Sequence, residues 1–333
     1  IRKRIKSESL RLEEHVIGSK SNTKVGIMYM NGIASKKLVD QISKKIKNIN
    51  IDAVFDSNYV IETISGNKKK TFPIYLSTER PDFVSINLLD GRIAIVVENT
   101  PYVIIVPAVF NDFFLSSEDF YQKNLNVNFT RIVRLIALLI TILLPAIYIS
   151  VSTYNHEAIP TNLLINFATQ RQGVPLPTVV EILMMMVVFE ILKETDTRAP
   201  SAIGSSLSIV GTLVLGQAAV AAGIVSPITI IVVATTSISG LISYSIDVVN
   251  GIRWWRIIFI VLSSFAGLYG VLVAGLIFVI NISSIKSFGI PYLTPFAPFF
   301  LKEQNNGVFL SNKRKFNVRS RLTAKKDIER QAK

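Results

Sequence analysis

Thr235, Ser239, Ser243 and Asp247 recur at every fourth position of an apolar stretch. On a helix that spacing sets three hydroxyls and a carboxylate along one face, with some drift around the axis. Repeated around a wet pathway by several copies of the chain, such groups replace part of a cation's hydration shell. These four are therefore candidate pore-lining residues. The competing reading is structural: the hydroxyls bond between helices and Asp247 reaches the headgroup boundary. Glu181 and Glu190 are further acids in apolar surroundings. About nine residues of helix turn through about 900°, so the two point to opposite sides and form no acid–base dyad. Each is a candidate for ion passage, or for a salt bridge or cap.

Other chemistry finds little support. His156 and Glu157 are neighbours without metal-ligand spacing, His15 is remote, and the chain has 0 Cys. No nucleophile elbow, HExxH helix, Walker A loop or dinucleotide fingerprint occurs. The chain is read as no enzyme, with no cofactor. Lys68, Lys69, Lys70 and the basic residues after 301 suit anionic lipid, and no nucleic acid is expected.

The elements that must position these residues divide the chain. Of its 333 residues 50% are hydrophobic and only 18% charged, which excludes a simple soluble enzyme. The 36 Lys plus Arg against 23 Asp plus Glu give +13, much of it in the tail. Residues 1–128 read as a soluble α/β domain. Val25–Met30 is strand-like, and 34–48 is a surface helix with Leu38, Ile42 and Ile46 on its buried stripe. Ile93–Val97 and Tyr102–Val106 form a plausible hairpin. The opening IRKRIKSESLRLEE reads as the interior of an amphipathic helix, so the domain is expected to be partial at its N-terminus.

Residues 129–301 read as a polytopic all-α transmembrane domain, and 302–333 as a basic C-terminal tail. Expected apolar segments are 135–152, kinked at Pro145, then 178–192, 203–222, 228–249 and 257–280. Whether 178–192 spans is left open. Ala219 and Gly223, with Gly267, Gly270 and Gly275, are candidate helix-packing positions. Basic flanks at Arg131, Arg134, Lys193, Arg198, Arg253 and Arg256 place the N-terminal domain in the cytoplasm. Five crossings would leave the basic tail outside, against the same rule. The preferred repair has residues 290–300 re-enter or complete a crossing; the other leaves 178–192 short of one.

Over nearly all of residues 1–301 the chain resembles the A subunit of the GerA-type spore germination receptors. The resemblance lies in Thr78-Glu79-Arg80-Pro81-Asp82, Thr100-Pro101, Pro145-Ala146-Ile147-Tyr148, His156 through Pro160 and Arg171-Gln172-Gly173-Val174-Pro175. It continues in Glu190 through Glu194, Gly216 through Val220 and Ser287 through Tyr292. Two local departures occur, at Val97-Glu98-Asn99 and Glu194 through Pro200. The resemblance implies a multi-pass subunit of a nutrient-sensing complex in the spore inner membrane. It also implies a homo-oligomeric ring of A subunits that conducts monovalent cations, partnered by a transporter-like B subunit and a lipoprotein-like C subunit. A transporter subunit for a small solute and a non-conducting scaffold are the alternatives.

Overall fold

The computed structural model describes residues 1–66, 70–198, 214–242, 245–300, 310, 319–320, 322–324 and 327. They form two compact units: residues 1–133, 244–248 and 280–333 in one, and 134–243 with 249–279 in the other.

The first unit is built on an antiparallel sheet. Its strands β1 (Leu10–Ile17), β2 (Thr23–Met30), β3 (Leu76–Thr78), β4 (Ile93–Val97) and β5 (Val103–Val106) lie in the order β1-β2-β4-β5-β3. The expected hairpin is present, with Ile95 opposite Ile104. Helix α1 (Lys36–Lys47) buries Leu38, Val39, Ile42 and Ile46 and turns its lysines to solvent. With α2 (Ser57–Ser65) it closes a core around Val25, Ile27, Ile93, Ile95 and Ile104. Asp56 caps α2, accepting from the Asn58 amide.

One expectation fails at the start of the chain. Residues 10–14 are not helical; Leu10 pairs with Met30 and Glu14 with Gly26 in an edge strand. Leu, Arg and Glu favour helix intrinsically, but sheet pairing overrides so weak a preference. Helix α3 (Pro81–Leu89) starts within the Thr78–Asp82 run, with proline in its first turn. Arg80 grips Asp82 through Nε at 3.3 Å and Nη2 at 2.9 Å, and Tyr121 donates to the same carboxylate at 2.7 Å.

Residues 286–300, expected to re-enter or complete a crossing, belong to this unit. Two short strands, β6 (Lys286–Ser287) and β7 (Ile290–Pro291), pair with each other. Tyr292 is fully buried, donates to the Pro73 carbonyl at 2.8 Å and packs near Phe110 and Phe113. An apolar, proline-rich run can be covered by a soluble domain as readily as by protein in a bilayer. The described tail residues also bind here. Leu310 exchanges two hydrogen bonds with Asn128, Thr323 donates to the Asp90 carbonyl, and Ala324 bridges to Ala34.

The second unit is helical. It takes in most of α4 (Asn124–Thr153), α5 (Thr161–Arg171), α6 (Thr178–Arg198), residues 214–221, α7 (Pro227–Gly240) and most of α8 (Ile246–Ser284). Tyr148, Ile149, Ile182, Met185, Val233 and Ile260 make its core. The expected segment 203–222 lies mostly outside the described residues. The expected segment 228–249 is interrupted, because α7 ends at Gly240 and α8 begins at Ile246. Glycine and serine around that break favour caps and turns over helix interiors.

The expected single span 257–280 is not one helix either. At Gly267 the backbone takes φ 58° and ψ −139°, and α8 doubles back. Phe278 meets Trp255 with ring centroids 5.0 Å apart and Phe259 at 6.2 Å. A straight helix would hold residues 255 and 278 roughly 34 Å apart. The arms, residues 246–266 and 268–284, are therefore antiparallel. Their far ends both meet the first unit's loop, Asp247 through Tyr75 and Asn281 through Thr71.

Candidate functional site

The reversal at Gly267 is held by the segment after α4. It frees the Leu268 amide, which donates to Asn155 Oδ1 at 3.2 Å, and the Ser264 carbonyl, which accepts from Tyr154 at 2.7 Å. A Cβ on Gly267 would collide with Asn155 and Tyr154, and one on Gly270 with the Leu262 carbonyl of the other arm. Neither position has room for a side chain in this hairpin. Gly275 has open space around its Cβ position, and Gly223, at φ 66°, lies 3.7 Å from the Gly173 carbonyl by the same measure. Ala219 packs at the edge of the helical core.

Glu181 is wholly buried at the start of α6. Its Oε2 accepts from the Ser226 amide at 2.9 Å and the Thr229 hydroxyl at 3.0 Å. The carboxylate therefore sits at the positive N-terminal end of α7. Arg171 approaches Oε1 at 3.7 Å, an ion pair too long for a hydrogen bond. Pro227 at the first position of α7 leaves one fewer amide to satisfy. This buried carboxyl group is held by a helix end, the Thr229 hydroxyl and a guanidinium.

Glu190, on the opposite side of α6, makes an ion pair with Arg253 of α8. The two line a cavity of about 250 Å³ with Lys193, Arg256, Thr141 and Ser237. Arg253 and Arg256 share a face of α8 at i, i+3. Arg256 is 9% exposed and its Nε has no hydrogen-bond partner.

The four residues of the polar stripe are divided. Thr235 is exposed and Ser239 half-buried, one turn apart on α7, with exposed Ile231 and Ile238 nearby. Ser243 lies outside the described residues. Asp247 belongs to the first turn of a separate helix and to the other unit, where it accepts from Tyr75 at 2.8 Å. Burial, reinforced by Asp247, raises the Tyr75 phenol above its usual range, so the bond is that of a neutral donor to a carboxylate. Tyr75, Asn155, Ser226 and Thr229 carried no sequence signal, since their partners are remote in the chain. Arg253 and Arg256 were visible only as basic flanks, although their i, i+3 spacing predicts a shared face.

Among the described residues, Asn124–Thr153 and Asp247–Ser284 are long and apolar enough to cross a membrane. The arms of the second leave Phe265, Leu272 and Leu276 exposed. An α/β unit and a helical unit with such an uncovered apolar surface define the class.

Residues 1–322 match the family described as Bacillus/Clostridium GerA spore germination protein, and the chain belongs to that family. It is 41% identical over 309 residues to spore germination protein KA of Bacillus subtilis, covering 93% of this chain and 57% of that protein. An uncharacterized membrane protein of the same organism, YfkQ, is 40% identical over 299 residues, covering 90% and 58%. Spore germination protein GerLA of Bacillus cereus is 35% identical over 305 residues, covering 91% and 62%. The chain thus spans less than two-thirds of the length of these relatives. The crystal structure of the N-terminal domain of the A subunit of the Bacillus megaterium spore germinant receptor GerK3 is 47% identical. It covers 33% of this chain and 86% of that one, with a TM-score of 0.27.

Proposed function

We propose that this chain is the A subunit of a nutrient-responsive germination receptor in the spore inner membrane. Copies of it form a ring that passes monovalent cations, beside a transporter-like B subunit and a lipoprotein-like C subunit. The observation that carries the membrane part of this reading is the apolar outer surface of the α8 hairpin. In water Phe265, Leu272 and Leu276 would form a large unfavourable patch, whereas lipid or a neighbouring subunit covers them at no cost.

The hairpin also supports an even number of crossings. Its arms are about 30 and 25 Å long, close to a hydrocarbon core. Counted with the segments 135–152, 178–192, 203–222 and 228–249 expected from the sequence, they make six. The α/β domain and the tail then share the cytoplasmic side, in keeping with the bonds of Leu310 and Thr323 to that domain. Residues 129–284 are the membrane domain in this reading.

Nutrient bound by a partner would bias the ring between two arrangements; Thr235, Ser239 and Ser243 of one unit and Asp247 of the other are separate candidates for the lining of the conducting path. Recording from the reconstituted complex tests this. Nutrient should open ohmic single-channel currents, and Asp247→Asn should lower conductance or cation preference with assembly intact. A complete, nutrient-responsive complex without current would leave a transporter or a scaffold. Unchanged selectivity and conductance in the variant would remove Asp247 from the path.

A further inference from the structure

The cavity between α4, α6, α7 and α8 is chemically unlike the proposed conducting stripe. Its described lining contains Lys193, Arg253 and Arg256 against the single carboxylate of Glu190, so cations are in excess. Glu190 is engaged by Arg253. Arg256 is the unusual member. A guanidinium carries five donors and keeps its charge, so holding it 91% buried with Nε unpartnered is costly unless an anion completes it. Ser237 adds a hydroxyl donor, while Phe189 and Ile252 supply an apolar wall. A cavity of about 250 Å³ is smaller than a typical drug-sized pocket, and it suits a headgroup or a small anion.

We propose that this cavity binds a phosphate-bearing anion, whose oxygens are held by Arg256, Arg253 and Lys193. Arginine's planar fork matches phosphate oxygens, and lysine adds a point charge. Basic pockets between membrane helices on the cytoplasmic side hold anionic headgroups in this way. The source is either the phosphodiester of an anionic lipid or free phosphate. The lipid source rests on the membrane reading above; the anion chemistry rests on the cavity alone. Because the same charges repel cations, the cavity is a binding site beside the conducting path.

Two probes distinguish the sources in the purified protein held in an uncharged detergent. Native mass spectrometry counts retained phosphatidylglycerol against phosphatidylcholine, and thermal unfolding is titrated with inorganic phosphate against chloride at equal ionic strength. Phosphatidylglycerol should be retained selectively, and Arg256→Gln should weaken retention about tenfold, as the loss of one charge-assisted hydrogen bond predicts. Lys193→Gln, at the half-buried rim, tests the same point should Arg256→Gln fail to fold. Glu190→Gln removes the competing carboxylate and should tighten binding, an effect that a purely structural role would not give. Saturable stabilisation by phosphate, without selective lipid retention, would assign the site to the free anion. No saturable binding of either probe, or unchanged affinity in the folded Arg256 and Lys193 variants, overturns the proposal. A chain that carbonate washing releases from membranes, yet that still binds phosphate, would defeat the membrane reading and leave the anion site standing.

Discussion

Phe278 packs edge-on against Trp255, their ring centroids 5.0 Å apart, because α8 reverses at Gly267. The contact makes one long apolar segment into two antiparallel arms. It can be tested chemically, since the chain has 0 Cys. A Trp255→Cys, Phe278→Cys variant should be joined within one chain by a short bismaleimide, so that fragments cut at the hairpin tip stay linked. Free fragments after complete labelling would mean a straight helix.

The tip depends on glycine and on a borrowed hydrogen-bond partner. Gly267→Val forces a side chain into a positive-φ position and into Asn155 and Tyr154. The backbone strain alone is worth about 1–3 kcal/mol. Asn155→Ala removes the acceptor of the Leu268 amide, at about 1 kcal/mol where water can partly replace it. Thermal unfolding in detergent should rank Gly267→Val below Asn155→Ala and both below the parent. The reverse order would mean that Gly267 is not the constrained position.

Glu181 joins α6 to the start of α7. Glu181→Ala strands the Ser226 amide, the Thr229 hydroxyl and the Arg171 charge in a buried place. Removing one member of a buried ionic cluster costs about 3–5 kcal/mol. Glu181→Gln keeps an acceptor oxygen for Ser226 and should be milder. Equal unfolding midpoints for the two variants would show that the hydrogen bonds to Oε2 contribute little.

Asp82 gives the α/β domain an acid-sensitive point. The Arg80 guanidinium, followed by the Tyr121 hydroxyl and the Phe83 amide, outweighs partial burial and holds the carboxyl well below its usual range. The unfolded chain therefore takes up this proton first as pH falls. Stability from Asp82 is complete above about pH 4, the unfolded aspartate value, and is lost progressively below it. Hydrogen-exchange protection in α3, taken relative to the intrinsic exchange rate at each pH, should fall below about pH 4 in the parent, and Asp82→Asn should flatten that dependence. An equally steep response in the variant would place the acid sensitivity elsewhere.

Much of the chain was legible one element at a time. The buried stripe of α1, the Ile93–Val106 hairpin, the apolar run of α4 and the motifs shared with the GerA family all depend on neighbours within a few residues. Periodicity and turn chemistry report such contacts directly. Composition likewise separated an ordinary α/β region from one with too little charge for a simple aqueous fold. Tertiary structure decided what long-range pairing alone can decide. It paired residues 10–17 as a strand, folded α8 upon itself and set Tyr292 into the α/β core. It also divided the Thr235–Asp247 stripe between two helices and gave Glu181 partners some 45 residues away. A helical period specifies which side chains share a face while the helix lasts. It carries no information on where a glycine ends that helix or which distant surface the face will meet.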